Sequence, residues 1–145
     1  MQPRSRGALE WFSSDALTPP KIDPNFLAEP ADREILQEAL EFCRELGARS
    51  AFGRWGPREL TPGALSESEK IGFIRQAATT YFHPVGSCRM GADPQTAVVD
   101  PQLRVYGAEN LRVADASIAP SIPNANTNAA AVMIGEFLSQ LLAPK

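Results

Sequence analysis

The sequence has little of what metal chemistry needs: histidine occurs once, at His83, and cysteine twice, at Cys43 and Cys88, in 145 residues. A zinc site takes about four nitrogen or sulfur ligands at short paired spacings, so no metal centre is expected. Basic runs are missing too, with 14 Lys and Arg scattered against 17 Asp and Glu for a net charge of -3. Without a basic cluster to meet phosphates, nucleic acid and anionic membrane are not expected as partners. Long hydrophobic runs are also absent. The most apolar segment, AAAVMIGEFLSQLLA, is interrupted by Glu136 and Gln140 and is shorter than the roughly 20 residues of a transmembrane segment. No apolar stretch near the amino terminus reads as a secretion signal, so the expectation is a cytoplasmic protein whose two cysteines are free thiols.

The chain is long enough for about one domain with one hydrophobic core. The opening RGALEWFSSD reads as a short strand ended by polar residues, and the following Thr18–Pro30 stretch, with Pro19, Pro20, Pro24 and Pro30, reads as an extended loop. DREILQEALEFCRELG repeats Ile35, Leu36, Ala39, Leu40, Phe42, Cys43 and Leu46 at helical spacing. Asp32 is a candidate N-cap there and Gly47 the stop. SESEKIGFIRQAA opens with a capping box, Ser66 and Glu69, and predicts a second helix. TTYFH, AVVD, LRVYG and LRVADAS read as strands between turns. From about Asn128 to Leu142 the alanine-rich, apolar spacing predicts a largely buried helix. Helices in the first half and strands mostly in the second give an α+β class, with an antiparallel sheet packed against helices.

Two stretches could carry chemistry. In YFHPVGSCRMG, Tyr81 to Gly91, the proline after His83 favours extended backbone, so a strand would deliver the imidazole to a turn. His83 is then either a reactive base or a loop histidine bonded to backbone. In DASIAPSIPNANTNAAAVMIGE, a proline-broken loop leads into the last helix, and free N–H groups at a helix start suit an anion or the polar edge of a cofactor. Alternatively, Asn124, Asn126 and Asn128 merely cap and turn the chain.

Together these stretches resemble the carboxy-terminal part of the glucose-methanol-choline family of flavin-dependent oxidoreductases, nearest its choline dehydrogenase-like members. The ordered matches are PRSRGALEW, PKIDPNFLAEPADREILQEAL, HPVGSCRMG, VVDPQLRVYGAENLRVADASIAP and NTNAAAVMIGE, nearly the whole chain. The resemblance implies an FAD enzyme that oxidises an alcohol by hydride transfer to the flavin. His83 then aligns with the family's active-site base, and an imidazole can accept a proton near neutral pH. Asn126 aligns with the second active-site position, whose amide can orient the substrate oxygen but cannot act as a base. Asp115 and Ala116 match the segment along the FAD, and Thr127 and Asn128 match the turn beside the flavin's pyrimidine edge. Cys88 and Arg89 read adequately as a buried structural cysteine and a surface or ion-paired arginine.

The family's glycine-rich G-x-G-x-x-G turn for the FAD pyrophosphate does not occur in this sequence. The expectation is therefore a substrate-binding-type domain, residues 1–110, followed by the return segment of an FAD-binding domain, residues 111–145. Such a chain would need an amino-terminal FAD-binding domain or subunit as partner and a small-molecule alcohol as substrate, and alone would neither retain FAD nor turn over. It would also show an exposed apolar patch or self-association. The alternative is a non-catalytic domain that keeps the scaffold and binds a small ligand or a partner.

Overall fold

A computed structural model describes residues 2–143. It consists of two compact units, one formed by Pro3–Thr79 and the other by the chain from Thr80 onward together with Gln2.

The first unit opens with strand β1, Ala8–Glu10, paired antiparallel to β2, Lys21–Asp23, with Leu9 opposite Ile22. β2 lies inside the proline-rich segment expected to be loop. With only two strands each is an edge, and an edge tolerates neighbouring prolines. Gly7 makes the hairpin possible, because a Cβ there would stand 2.2 Å from the Asp23 carbonyl oxygen. Helix α1 spans Pro30–Gly47 and starts from Glu29 with proline in its first turn.

Asp32 is therefore not the N-cap expected from the sequence. Its buried carboxylate accepts from the Arg4 and Ser5 backbone N–H groups, both at 2.7 Å, and from the Ser5 hydroxyl. Burial pushes the Asp32 carboxyl up, but the Ser5 hydroxyl, the two N–H donors and the Arg4 charge together hold it below the ordinary value. Helix α2, Glu67–Ala77, begins with the expected capping box between Ser66 and Glu69. Lys70 of α2 meets Glu41 of α1 at 2.5 Å, and Ile74 is the buried residue of α2. Phe42, Cys43 and Leu46, which repeat at helical spacing with the other apolar residues of this segment, are exposed on α1.

The second unit is built from turns closed by single bridges. The apolar runs expected as strands pair one residue at a time: Met90 with Val99, Val99 with Val105, and Arg104 with Arg112. TTYFH forms no strand, so the sheet of this α+β chain lies in its first half. Asp100 explains the tight folding of the middle segment. Its Oδ1 accepts from the Gln102 and Arg104 N–H groups and its Oδ2 from Arg104 Nε at 2.7 Å. That clamp turns the chain through Leu103, which sits in the left-handed region at φ 66° with 1% of its surface exposed. Burial raises the Asp100 carboxyl, while the Arg104 side chain and the two backbone donors outweigh it and hold the group below its usual range.

Val99, Leu103, Ile118 and Ile134 form the core of this unit, with Met90, Val105, Val113, Ala114 and Leu138 packed around them. Helix α3, Thr127–Leu142, supplies Ile134 and Leu138. It is less buried than expected, since Val132 is 59% and Met133 64% exposed and Phe137 and Leu142 are exposed as well. No described helix is long and apolar enough to cross a membrane, and the two cysteines are free.

Candidate functional site

His83 follows a strained residue and precedes a rigid one. Phe82 has φ 62°, unusual for a bulky side chain, and the Thr80 hydroxyl accepts its N–H at 2.9 Å, closing a local turn that supports the conformation. Pro84 keeps His83 extended. Gly86, at φ 88°, then brings the chain so close to the next segment that a Cβ would meet the Ala119 carbonyl oxygen at 3.3 Å. The Cys88 N–H donates to the Ser117 carbonyl at 3.0 Å and the Met90 N–H to the Ile118 carbonyl at 2.8 Å. The His83 loop is thus laced by backbone to the short 3-10 turn Ala116–Ile118. Cys88 is only partly buried, and Arg89 is a surface residue whose Nε donates to the Thr96 carbonyl.

Asp115 caps that turn, its Oδ1 accepting from the Ser117 N–H at 2.8 Å, and it is exposed, while Ala116 is half-buried. A proline-broken loop then leads to Asn126, the N-cap of α3, whose side-chain oxygen accepts from the Asn128 N–H at 3.2 Å. The capping reading of Asn126 thus holds, and the cap uses its side-chain oxygen while leaving the amide hydrogens for another acceptor.

The first residue of α3, Thr127, meets the histidine. Its Oγ1 lies 3.3 Å from His83 Nδ1, and the Tyr81 ring stands edge-on to the imidazole at 5.4 Å between centroids. Nδ1 is thereby engaged, and Nε2 has no hydrogen-bond partner among the described residues. Of the six residues singled out in the sequence, His83 and Thr127 are joined by their side chains and Asn126 is next to that contact in the chain. Asn128 is one helical position further on, with its N–H engaged by Asn126, and Asp115 and Ala116 lie on the turn that braces the histidine loop. Tyr81 is the residue that sequence reasoning left unplaced. Its signal was an aromatic two positions before the only histidine.

Among the described residues no group of three or more His, Cys, Asp or Glu side chains could hold a metal. The donors present suit one part of a flavin. Exposed Asn126 and Asn128, the half-buried Thr127 hydroxyl and the N–H groups opening α3 match a polar ring edge, whereas no glycine-rich turn offers a cradle for a pyrophosphate.

Residues 3–135 match the family model described as GMC oxidoreductase. The chain is 43% identical over 141 residues to the oxygen-dependent choline dehydrogenase of Chromohalobacter salexigens, covering 96% of this chain and 25% of that protein. It is 39% identical over 145 residues to the alcohol dehydrogenase [acceptor] of Pseudomonas putida, covering 99% of this chain and 26% of the relative. Pyridoxine 4-oxidase from Mesorbium loti superposes with a TM-score of 0.90 at 37% identity, over 97% of this chain and 28% of that one. The chain thus spans about a quarter of the length of the curated relatives it matches. On a match that runs through both the histidine loop and the start of α3, the chain belongs to the GMC oxidoreductase family of FAD-dependent flavoproteins, as a carboxy-terminal domain of choline dehydrogenase-like type.

Proposed function

We propose that this chain carries the proton-accepting half of an alcohol-oxidising active site. The observation that supports the reading most directly is the state of His83: Nδ1 faces Thr127 Oγ1 while Nε2 has no hydrogen-bond partner among the described residues. A base has to come within about 2.6–3.2 Å of the proton it removes, and only an uncommitted nitrogen can do so. In this reading Nε2 accepts the hydroxyl proton of the alcohol. Asn126 donates an amide hydrogen to the same oxygen, holding it in line and stabilising the negative charge that builds there. FAD, when bound, supplies the acceptor for the hydride leaving the carbinol carbon, so that the alcohol becomes a carbonyl compound. Thr127 and Asn128 offer their polar groups to the ring edge, and Asp115 and Ala116 line its approach.

The division of labour within the chain follows the same reading, with residues 1–110 as the substrate-binding-type domain and 111–145 as the segment that returns to an amino-terminal FAD-binding domain. The exposed apolar row of Val132, Met133 and Phe137 on α3, with Leu111 also exposed, supports it. Such a row asks for a covering surface. In this reading the chain completes a flavin site only together with that partner.

The test is a chimera in which this chain replaces the corresponding carboxy-terminal quarter of the Chromohalobacter choline dehydrogenase, assayed anaerobically for bleaching of the flavin by added alcohols. We expect bleaching by at least one alcohol, slowed about 10²–10⁴-fold in the His83→Asn variant. A folded, flavin-loaded His83→Asn chimera that bleaches as fast as its parent would overturn the assignment.

A further inference from the structure

We infer that Thr127 sets the tautomer of His83 and is a positioning residue for it. The inference rests on the reading of His83 as the base. A neutral imidazole carries one N–H and one lone pair, and whichever nitrogen holds the proton is fixed by the hydrogen bond that the other ring atom makes. The Thr127 hydroxyl at 3.3 Å is the one hydrogen-bonding group that the described residues present to the ring, and it faces Nδ1. A hydroxyl can accept as well as donate. When Oγ1 accepts the Nδ1 proton, the Nε2 lone pair is bare and the ring is ready to take a proton from substrate.

The surroundings hold the ring in that register. Tyr81 stands edge-on at an interplanar angle of 78°, Pro84 restricts the backbone of His83, and Thr127 is anchored as the first residue of a 16-residue helix behind the Asn126 cap. The threonine's place in the chain therefore gives it a role distinct from its neighbours. Asn126 and Asn128 are joined to each other by the capping bond, while Thr127 between them turns its hydroxyl to the histidine.

Because His83 is the only histidine in the sequence, nitrogen-15 NMR of the uniformly labelled chain reports one imidazole and no other. At mildly alkaline pH, where an imidazole is neutral, we expect the proton on Nδ1. Thr127→Val keeps the branched shape and removes the hydroxyl, and should shift the tautomer ratio about fivefold or more towards Nε2–H, the factor carried by one ordinary net hydrogen bond. Thr127→Ser should restore the original ratio. Far-UV circular dichroism confirms that α3 persists in each variant, and a Val variant that fails to fold leaves the wild-type and Ser spectra to decide the point.

A wild-type ring protonated on Nε2, or a ratio indifferent to Thr127→Val in a folded chain, overturns the inference. The base assignment fails separately, through an active His83→Asn chimera, so the two outcomes are distinguishable.

Discussion

At Leu103 the usual advantage of alanine over glycine should vanish. The residue is 1% exposed, lies in the core beside Val99, Ile118 and Ile134, and holds φ 66°. Either truncation removes the isopropyl group beyond Cβ and leaves a cavity, costing about 2–5 kcal/mol as Leu→Ala does in a well-packed core. The backbone then separates the two variants. Alanine keeps a Cβ in the left-handed region at a cost of about 1–2 kcal/mol, which glycine avoids. Glycine gives back about 0.5–1 kcal/mol through the greater freedom of its unfolded chain and about 0.8 kcal/mol through the buried Cβ carbon it lacks. The terms nearly cancel, so Leu103→Gly should match Leu103→Ala to within roughly 0.8 kcal/mol, where an unstrained buried site would favour alanine by about 1.3–1.8 kcal/mol. At an ordinary urea dependence of about 2 kcal/mol per molar, the two midpoints should lie within about 0.4 M of each other.

Urea unfolding followed by circular dichroism measures the difference. Trp11 and Trp55, both in the first unit, give a separate fluorescence signal for that part of the chain. An osmolyte that strengthens burial keeps both variants on a measurable baseline. A midpoint for Leu103→Gly lower than that of Leu103→Ala by about 0.7 M or more would refute the claim that backbone strain is held at this position.

Gly7→Ala should break the β1–β2 hairpin, because the new Cβ meets backbone atoms of Asp23 and Pro24 that cannot swing aside. Hydrogen exchange of the Ala8–Glu10 and Lys21–Asp23 amides should accelerate, while Gly47→Ala, where nothing lies within 4 Å of the added carbon, serves as a control that leaves them protected. Acid should destabilise the chain through Asp32 and Asp100, whose carboxyls are both held below their ordinary value in the folded state. Their stabilisation is fully present above the ordinary aspartate value of about 4 and is lost as pH falls below it through the lowered folded-state values. Asp100→Asn should therefore flatten the acid limb of a stability-against-pH curve, and an unchanged slope would count against the Asp100 clamp.

The elements legible in the sequence are those whose signals are local. The Gly47 end of α1, the Ser66–Glu69 capping box and the extent of α3 all follow from residues within a few positions of one another. What was missed depends on partners far along the chain. Asp32 looks like a cap until Arg4 and Ser5, at the other end of the hairpin, take its carboxylate. The apolar runs of the second half have the alternation of strands, but the left-handed residues Leu103, Gly107 and Asn110 turn the chain before a second pair can form. The apolar spacing of α3 was read as burial, although only Ile134 on it is buried, since periodicity marks a face without saying what covers it. At the site, motif resemblance picked out His83, Asn126 and Thr127. That Thr127 lies against His83, 44 positions away, is beyond the reach of spacing.

The bonds from Cys88 to Ser117 and from Met90 to Ile118 run from main chain to main chain. No side chain takes part in them, so Ser87, Cys88, Arg89 and Ser117 can mutate without loosening the strap that holds the histidine loop. The side chains of this loop can thus vary while the imidazole keeps its place. Evolvability of that kind is written into the backbone rather than into the side chains.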